Sequence, residues 1–433
     1  MGEASMERGT PIYRIRGGRP LQGEVEVSGA KNAALPIMAS TILARRPVTL
    51  KRVPEVRDVQ TLSTVLEEVG MRVERADCDL RIETVDPDRC RADRTWVRHM
   101  RASFCVLGPL LARRGQAVVA LPGGCKIGDR PVDIHLRGFE AMGARLALED
   151  GYVSARAERL RGATIDLAGP HGTTVTGTAN LMAAATLADG RTTLVNAACE
   201  PEIVDLARFL ISLGAKIDGA GRSVITIDGV ERLGGEVTHR VIPDRIEAAT
   251  FLIAATATRG AICVRGADPS HLSAVIDLLQ STGAEIEVDQ SSIRIDATRP
   301  IRAVDVVARP YPGVPTDMQA PIMAMLATAA GESIVRDEVF PDRFAHVPEL
   351  VKMGANIEDI GDRVCIRGVQ FLNGAQVTAP DLRAGAALVI AALAAQGDTV
   401  VRKVDRIDRG YRQFAKRLRQ LGVQIDREVR KSQ

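Results

Sequence analysis

The chain runs to 433 residues, 45% of them hydrophobic and 26% charged; this is longer than one hydrophobic core usually supports, so two or more domains are expected. A formal net charge of +3, an aromatic content of 3% and the lack of a long Lys/Arg run argue against a nucleic-acid module and leave small anionic molecules as the better partners. No apolar stretch reaches the roughly 18 residues a bilayer requires and the first residues carry no signal-peptide pattern, so a cytoplasmic chain with no membrane partner is expected.

In chain order, a strand is expected around Val25-Glu26-Val27, then the turn Ser28-Gly29-Ala30-Lys31-Asn32. A helix over 32–45, a strand at Val48-Thr49-Leu50 and a second helix over 58–69 follow, the last running into Gly70. That ending recurs. Val69-Gly70-Met71, Met142-Gly143-Ala144, Leu213-Gly214-Ala215, Thr282-Gly283-Ala284, Met353-Gly354-Ala355 and Leu421-Gly422-Val423 each join an apolar helical end to a strand-like alternation, at intervals of about 70 residues. Each glycine fits a helix C-cap, where the chain must turn left-handed. Further helices over 316–330 and 343–353, and strands at 224–227, 292–295 and 399–401, make the repeated unit α/β.

A unit this small cannot bury its apolar surface alone, so the six copies must pack together. The paired glycine and the proline within 230–243 interrupt the third copy and divide the six three and three. A first domain over residues 31–240 and a second, discontinuous one over 1–30 and 241–433 are expected. The chain would cross near Gly29-Ala30 and Arg240-Val241, with the active site in the cleft between the halves.

Candidate residues follow in the same order. Lys31 would project from the first turn of its helix, where a cation and free amides suit a phosphate or carboxylate; a solvated lysine is the plain alternative. Arg101 opens a helix after His99-Met100. The loop Leu121-Pro122-Gly123-Gly124-Cys125-Lys126-Ile127-Gly128-Asp129-Arg130-Pro131 sets one cysteine among glycines beside Lys126 and Arg130. Nearby cations lower a thiol's pKa, so Cys125 has the setting of a reactive residue, with an incidental loop thiol as the alternative. The other cysteines are Cys78, Cys90, Cys105, Cys199, Cys263 and Cys365; Cys105, Cys199, Cys263 and Cys365 read as small buried hydrophobes. In Pro315-Thr316-Asp317-Met318-Gln319, Thr316 is a plausible N-cap and Asp317 lies in the first turn, either as a base or as a carboxylate answering the helix dipole. Arg383, after Pro380-Asp381-Leu382, and Arg409, in Ile407-Asp408-Arg409-Gly410-Tyr411, join Arg101 as forks at element starts that would suit a doubly anionic substrate. The sequence has no C-x-x-C, H-x-x-x-H, P-loop or dinucleotide pattern, so neither a metal nor a cofactor is expected.

These motifs, together with Glu200-Pro201-Glu202-Ile203-Val204-Asp205 and Asp381-Leu382-Arg383-Ala384, resemble the UDP-N-acetylglucosamine 1-carboxyvinyltransferase family over nearly the whole chain. The resemblance implies two inverse α/β prism domains of three repeats each. It also implies an addition–elimination reaction: phosphoenolpyruvate is protonated at its methylene carbon, the 3′-hydroxyl of UDP-N-acetylglucosamine attacks, and phosphate leaves, the first committed step of peptidoglycan synthesis.

It further implies Cys125 as the general acid and fosfomycin target, and Asp317 as the base. Lys31, Arg130 and Arg409 would grip phosphate and carboxylate with support from Arg383. Asn32 would position substrate, and Arg101, Pro131, Val132, Asp133, Ile134 and Val339 would line the nucleotide-sugar site. Three positions depart from the family pattern. Asp129 adds a negative charge beside Arg130, the segment His171 to Thr176 lacks a lysine, and Pro341 stands where an acidic residue is common. The related 5-enolpyruvylshikimate-3-phosphate synthase carries Gly-Ser-Lys-Ser in place of Gly-Ala-Lys-Asn and lacks the cysteine loop. A non-catalytic nucleotide-sugar sensor would have no use for both Cys125 and Asp317.

Overall fold

The computed structural model describes residues 10–123, 132–169 and 172–430. The chain divides into two compact units, residues 1–27 with 245–433 and residues 28–244, each with its own apolar core.

Among the described residues, each unit holds three four-stranded sheets of one design. An edge strand pairs in parallel with the next, and two antiparallel neighbours complete the sheet, as where Val306–Ala308 pairs with Glu332–Asp337, then Val364–Arg367 and Asn356–Asp359. Strand residues alternate between buried and exposed, as in Ser292–Asp296, so one face of each sheet meets the core and the other meets water. In the first unit the core is made by the helices Arg245–Ala257, Thr316–Leu326 and Leu382–Ala394, which pack on one another. Every residue of Arg245–Ala257 is buried. Such all-round burial demands an apolar helix rather than an amphipathic one, and the abundance of alanine allows close approach. The outer helices are amphipathic instead: Arg57–Glu68 buries Val59, Leu62, Val65 and Leu66.

All six signature glycines follow an outer helix, with φ of 79° at Gly70, 87° at Gly143, 103° at Gly214, 100° at Gly283, 88° at Gly354 and 90° at Gly422. They are the left-handed residues that turn each outer helix into its strand. Helices with sheets outside them, repeated three times per unit, make two inverse α/β prisms.

The repeats close by exchange of strands. In the first unit Thr10–Arg16 inserts between Asp398–Arg402 and Gln424–Arg430, and Gln22–Glu26 pairs in parallel with Ala261–Arg265. In the second unit the late strand Val237–Arg240 pairs in parallel with the early strand Val48–Lys51. The connecting segments lie side by side, with Ala30 N–H donating to Ile242 O at 2.8 Å and Asp244 N–H to Ser28 O at 2.9 Å. These bonds hold 28–30 and 241–244 in the second unit, so its limits are 28 and 244 where the sequence suggests 31 and 240.

Several helices are shorter than their patterns. The expected helix over 32–45 is Lys31–Ser40 with a 3-10 turn at Thr41–Leu43; that over 316–330 ends at Leu326; that over 343–353 is Val347–Lys352.

Candidate active site

In the first unit the site is built around Asp317, in the first turn of Thr316–Leu326. Its Oδ1 lies 2.9 Å from Arg343 Nη2, and its Oδ2 lies 2.9 Å from Arg383 Nη2 and 3.1 Å from Nε. The guanidiniums are almost wholly buried, at 6% and 5% exposure, whereas the Asp317 side chain keeps 25%. Two buried cations favour the ionised carboxylate, and the opening leaves it reachable.

Arg383 is fixed from its own helix. Asp381 caps Leu382–Ala394, accepting the N–H groups of Arg383 and Ala384, and the Arg383 guanidinium sits 5.2 Å from the centre of the Tyr411 ring. Tyr411 hydroxyl and Thr250 Oγ1 are 2.8 Å apart, and burial raises the phenol's pKa. The Asp317, Arg383 and Tyr411 motifs are thereby one cluster. The segment with Arg409 packs on the Arg383 helix through two small residues: a Cβ at Gly385 would crowd Ile407, and one at Gly410 would crowd Leu382. Arg409, expected at an element start, is the last residue of the 3-10 helix Val404–Arg409.

Thr316 is not the N-cap. Pro315 holds that place, because the Thr316 hydroxyl points elsewhere: it donates to Asp337 Oδ2 at 2.5 Å and accepts from Arg343 Nη1 at 3.0 Å. Asp337 is 2% exposed; its Oδ1 accepts the N–H groups of Val339 at 2.9 Å and Phe340 at 2.8 Å. Burial raises its pKa against these bonds.

In the second unit Lys31 opens the helix Lys31–Ser40 and is only 8% exposed, so the solvated-lysine alternative fails. Its Nζ lies 3.0 Å from Asp58 Oδ2, and its backbone N–H donates to Asp244 Oδ2 at 3.2 Å. A carboxylate therefore already answers the positive end of this helix. Gly29 is fixed by space: a Cβ there would collide with the Arg52 carbonyl. Asn32 is exposed.

Arg101 starts the 3-10 helix Arg101–Val106, near His135 on the helix Asp133–Ala141, and its charge helps keep that imidazole neutral. Burial is the larger cause, taking His135 down to about 3. The tautomer follows from its neighbours. Gly108 N–H donates to Asn180 Oδ1 at 2.8 Å, so Asn180 Nδ2 faces the Phe104 carbonyl at 3.1 Å and His135 Nδ1 at 3.1 Å; Nδ1 accepts and Nε2 carries the proton, 3.4 Å from Thr176 Oγ1. This buried network anchors the start of the helix that presents Val132, Asp133 and Ile134. Asp133 is exposed beside Arg137 at 3.9 Å, and Ile134 is buried.

Cys125, Arg130, Pro131, Asp129 and His171 lie outside the described residues. Of the remaining cysteines, Cys105 is buried, which pushes its thiol up to about 12. Burial also raises Cys199, although that residue is partly exposed rather than buried as expected. Among the described residues there is no group of three metal-ligating side chains and no helix long and apolar enough to cross a membrane. The sequence alone did not single out Arg343, Asp337 or Asp58; the partner of a buried charge is set by the fold, and no local spacing marks it.

Residues 15–418 match the family described as EPSP synthase (3-phosphoshikimate 1-carboxyvinyltransferase). A UDP-N-acetylglucosamine 1-carboxyvinyltransferase of Thermodesulfovibrio yellowstonii is 48% identical over 413 residues, 95% of this chain and 98% of that one. The chain belongs to the UDP-N-acetylglucosamine 1-carboxyvinyltransferase family of enolpyruvyl transferases. A second relative in this family, UDP-N-acetylglucosamine 1-carboxyvinyltransferase 2 of Carboxydothermus hydrogenoformans, is 49% identical over 417 residues, 96% of this chain and 99% of its own. Among solved structures, the enolpyruvyl transferase NikO from Streptomyces tendae is similar with a TM-score of 0.88 at 27% identity, covering 98% of this chain and all of that one.

Proposed function

We propose that this chain transfers the enolpyruvyl group of phosphoenolpyruvate to the 3′-hydroxyl of UDP-N-acetylglucosamine, releasing phosphate, as the first committed step of peptidoglycan synthesis in the cytoplasm. The observation that carries this reading is the Asp317 carboxylate held between Arg343 and Arg383, in a chain nearly half identical, end to end, to relatives named for that reaction.

Cys125 gives its thiol proton to the methylene carbon of phosphoenolpyruvate, leaving a cationic centre at C2. The 3′-hydroxyl oxygen attacks that centre while Asp317 takes its proton. The resulting tetrahedral adduct gives a methyl proton back to the Cys125 thiolate and expels phosphate, restoring the double bond and the thiol. A base for this work must be ionised and partly open; two guanidiniums beside Asp317 and its 25% exposure support that role. Arg383 and the second guanidinium on Asp317 keep it oriented at the cost of basicity, a balance that favours positioning over raw proton affinity. Lys31, Arg130 and Arg409 bind the phosphate and carboxylate of phosphoenolpyruvate, stabilising charge that moves onto the departing phosphate. Asn32, Arg101, Pro131, Val132, Asp133, Ile134 and Val339 serve the nucleotide sugar.

The test is mass spectrometry of the nucleotide sugar after incubation of purified protein with both substrates. The reading predicts conversion to a species heavier by one enolpyruvyl group. Unaltered UDP-N-acetylglucosamine at full enzyme concentration would contradict it.

A further inference from the structure

We propose that Asp337 and Thr316 are positioning residues that set Arg343 against Asp317 and tie that pair to the Val339–Phe340 segment. The inference rests on the reading above, in which Asp317 is the base and Val339 serves the nucleotide sugar.

The hydrogen bonds run in one direction. Arg343 can only donate; its Nη2 forms an ion pair with Asp317 Oδ1 at 2.9 Å, and its Nη1–H goes to Thr316 Oγ1. Thr316, having accepted from Arg343, gives its own proton to Asp337 Oδ2. Asp337 receives three donors in all, the Thr316 hydroxyl and the N–H groups of Val339 and Phe340. An ionised carboxylate has the lone pairs for this, and an amide in its place does not. Turned one way, its NH2 meets Thr316, whose hydroxyl then loses its acceptor; turned the other, its NH2 opposes two backbone N–H groups.

Geometry makes Asp337 more than a local brace. It ends the strand Glu332–Asp337 and is 2% exposed, so it is held by the sheet while its two oxygens serve different segments. One oxygen reaches the helix start that bears Asp317; the other fixes the turn that bears Val339. A shift of either segment is therefore felt by the other through one rigid carboxylate, and the base and the sugar-binding turn stay in register.

The experiment compares Thr316→Val, Thr316→Ser and Asp337→Asn with the wild-type enzyme in steady-state kinetics with phosphoenolpyruvate and UDP-N-acetylglucosamine, after thermal unfolding shows which variants fold. Thr316→Val keeps shape and loses the hydroxyl; kcat is expected to fall about tenfold or more with an unchanged KM for the nucleotide sugar. Thr316→Ser is expected to restore kcat to within about threefold of wild type. Asp337→Asn is expected to lower kcat and also to raise the nucleotide-sugar KM several-fold, because it releases the Val339 turn. A Thr316→Val enzyme with wild-type kcat, a serine variant as slow as the valine one, or a folded Asp337→Asn enzyme with unchanged KM each overturns the proposal. Should Asp337→Asn fail to fold, the valine and serine pair decides. Wild-type protein inactive with the nucleotide sugar removes the functional reading, and this inference with it; an active wild type with indifferent variants removes this inference alone.

Discussion

Arg343 places Nη2 2.9 Å from Asp317 Oδ1 from a buried position just ahead of the helix Val347–Lys352. The same guanidinium holds Thr316 through Nη1, so a side chain outside every motif fixes both residues that open the Asp317 helix.

Replacing Arg343 by lysine tests this double hold. An ammonium is a point donor on a flexible stem and cannot keep the fork geometry that bonds Asp317 and Thr316 together. Arg343→Lys is expected to fold and to lose about 10- to 100-fold in kcat, with a smaller change in nucleotide-sugar affinity. Wild-type kcat in this variant would show that a single charge suffices.

Asp317→Asn removes the proton acceptor of the proposed reaction and keeps the shape. Turnover is expected to fall by about 100-fold or more, while UDP-N-acetylglucosamine still binds, as measured by calorimetry. An asparagine variant with near-normal turnover would take Asp317 out of the base role.

The repeats were readable because left-handed helix ends are chemically restrictive. Six glycines mark them, and all six have positive φ. Strand exchange was harder. Nothing in Val237-Thr238-His239-Arg240 announces Val48–Lys51 as its neighbour, since parallel pairing leaves no local turn signal. Helix lengths were overstated where an apolar run continues past the last helical bond, as beyond Leu326 and Ser40. Among the candidate residues, Lys31, Asp317 and Arg383 stand out from their positions near helix starts. Asp58, Asp337 and Arg343 did not, because burial and partner choice decide their roles.

Acid should weaken both units through buried histidines. His135 titrates at about 3 and His346 at about 4 when folded, both lowered chiefly by burial from 6.5. The folded state then binds fewer protons than the unfolded one below about 6.5. Their stabilising contribution is complete above that pH and declines as pH falls toward the folded values, by roughly 1 kcal/mol per unit for each histidine. Asp337, whose folded pKa is raised, acts in the opposite sense. Urea unfolding midpoints are expected to be lower at pH 5 than at pH 7, and His346→Gln to flatten the difference. Equal midpoints at the two pH values would contradict this.

Cys125 is expected to be the thiol that reacts. Fosfomycin with UDP-N-acetylglucosamine should give one adduct on the intact protein, located at Cys125 by peptide mapping and absent from Cys125→Ser. Cys105, with its thiol pushed up to about 12, should stay unmodified. An adduct elsewhere, or none, would remove Cys125 from the acid role.

The most direct test of the whole account is phosphate release from phosphoenolpyruvate by the purified protein, run in parallel with UDP-N-acetylglucosamine and with shikimate 3-phosphate. Release that depends on the nucleotide sugar is the predicted result. Release only with shikimate 3-phosphate, or with neither acceptor, would contradict it.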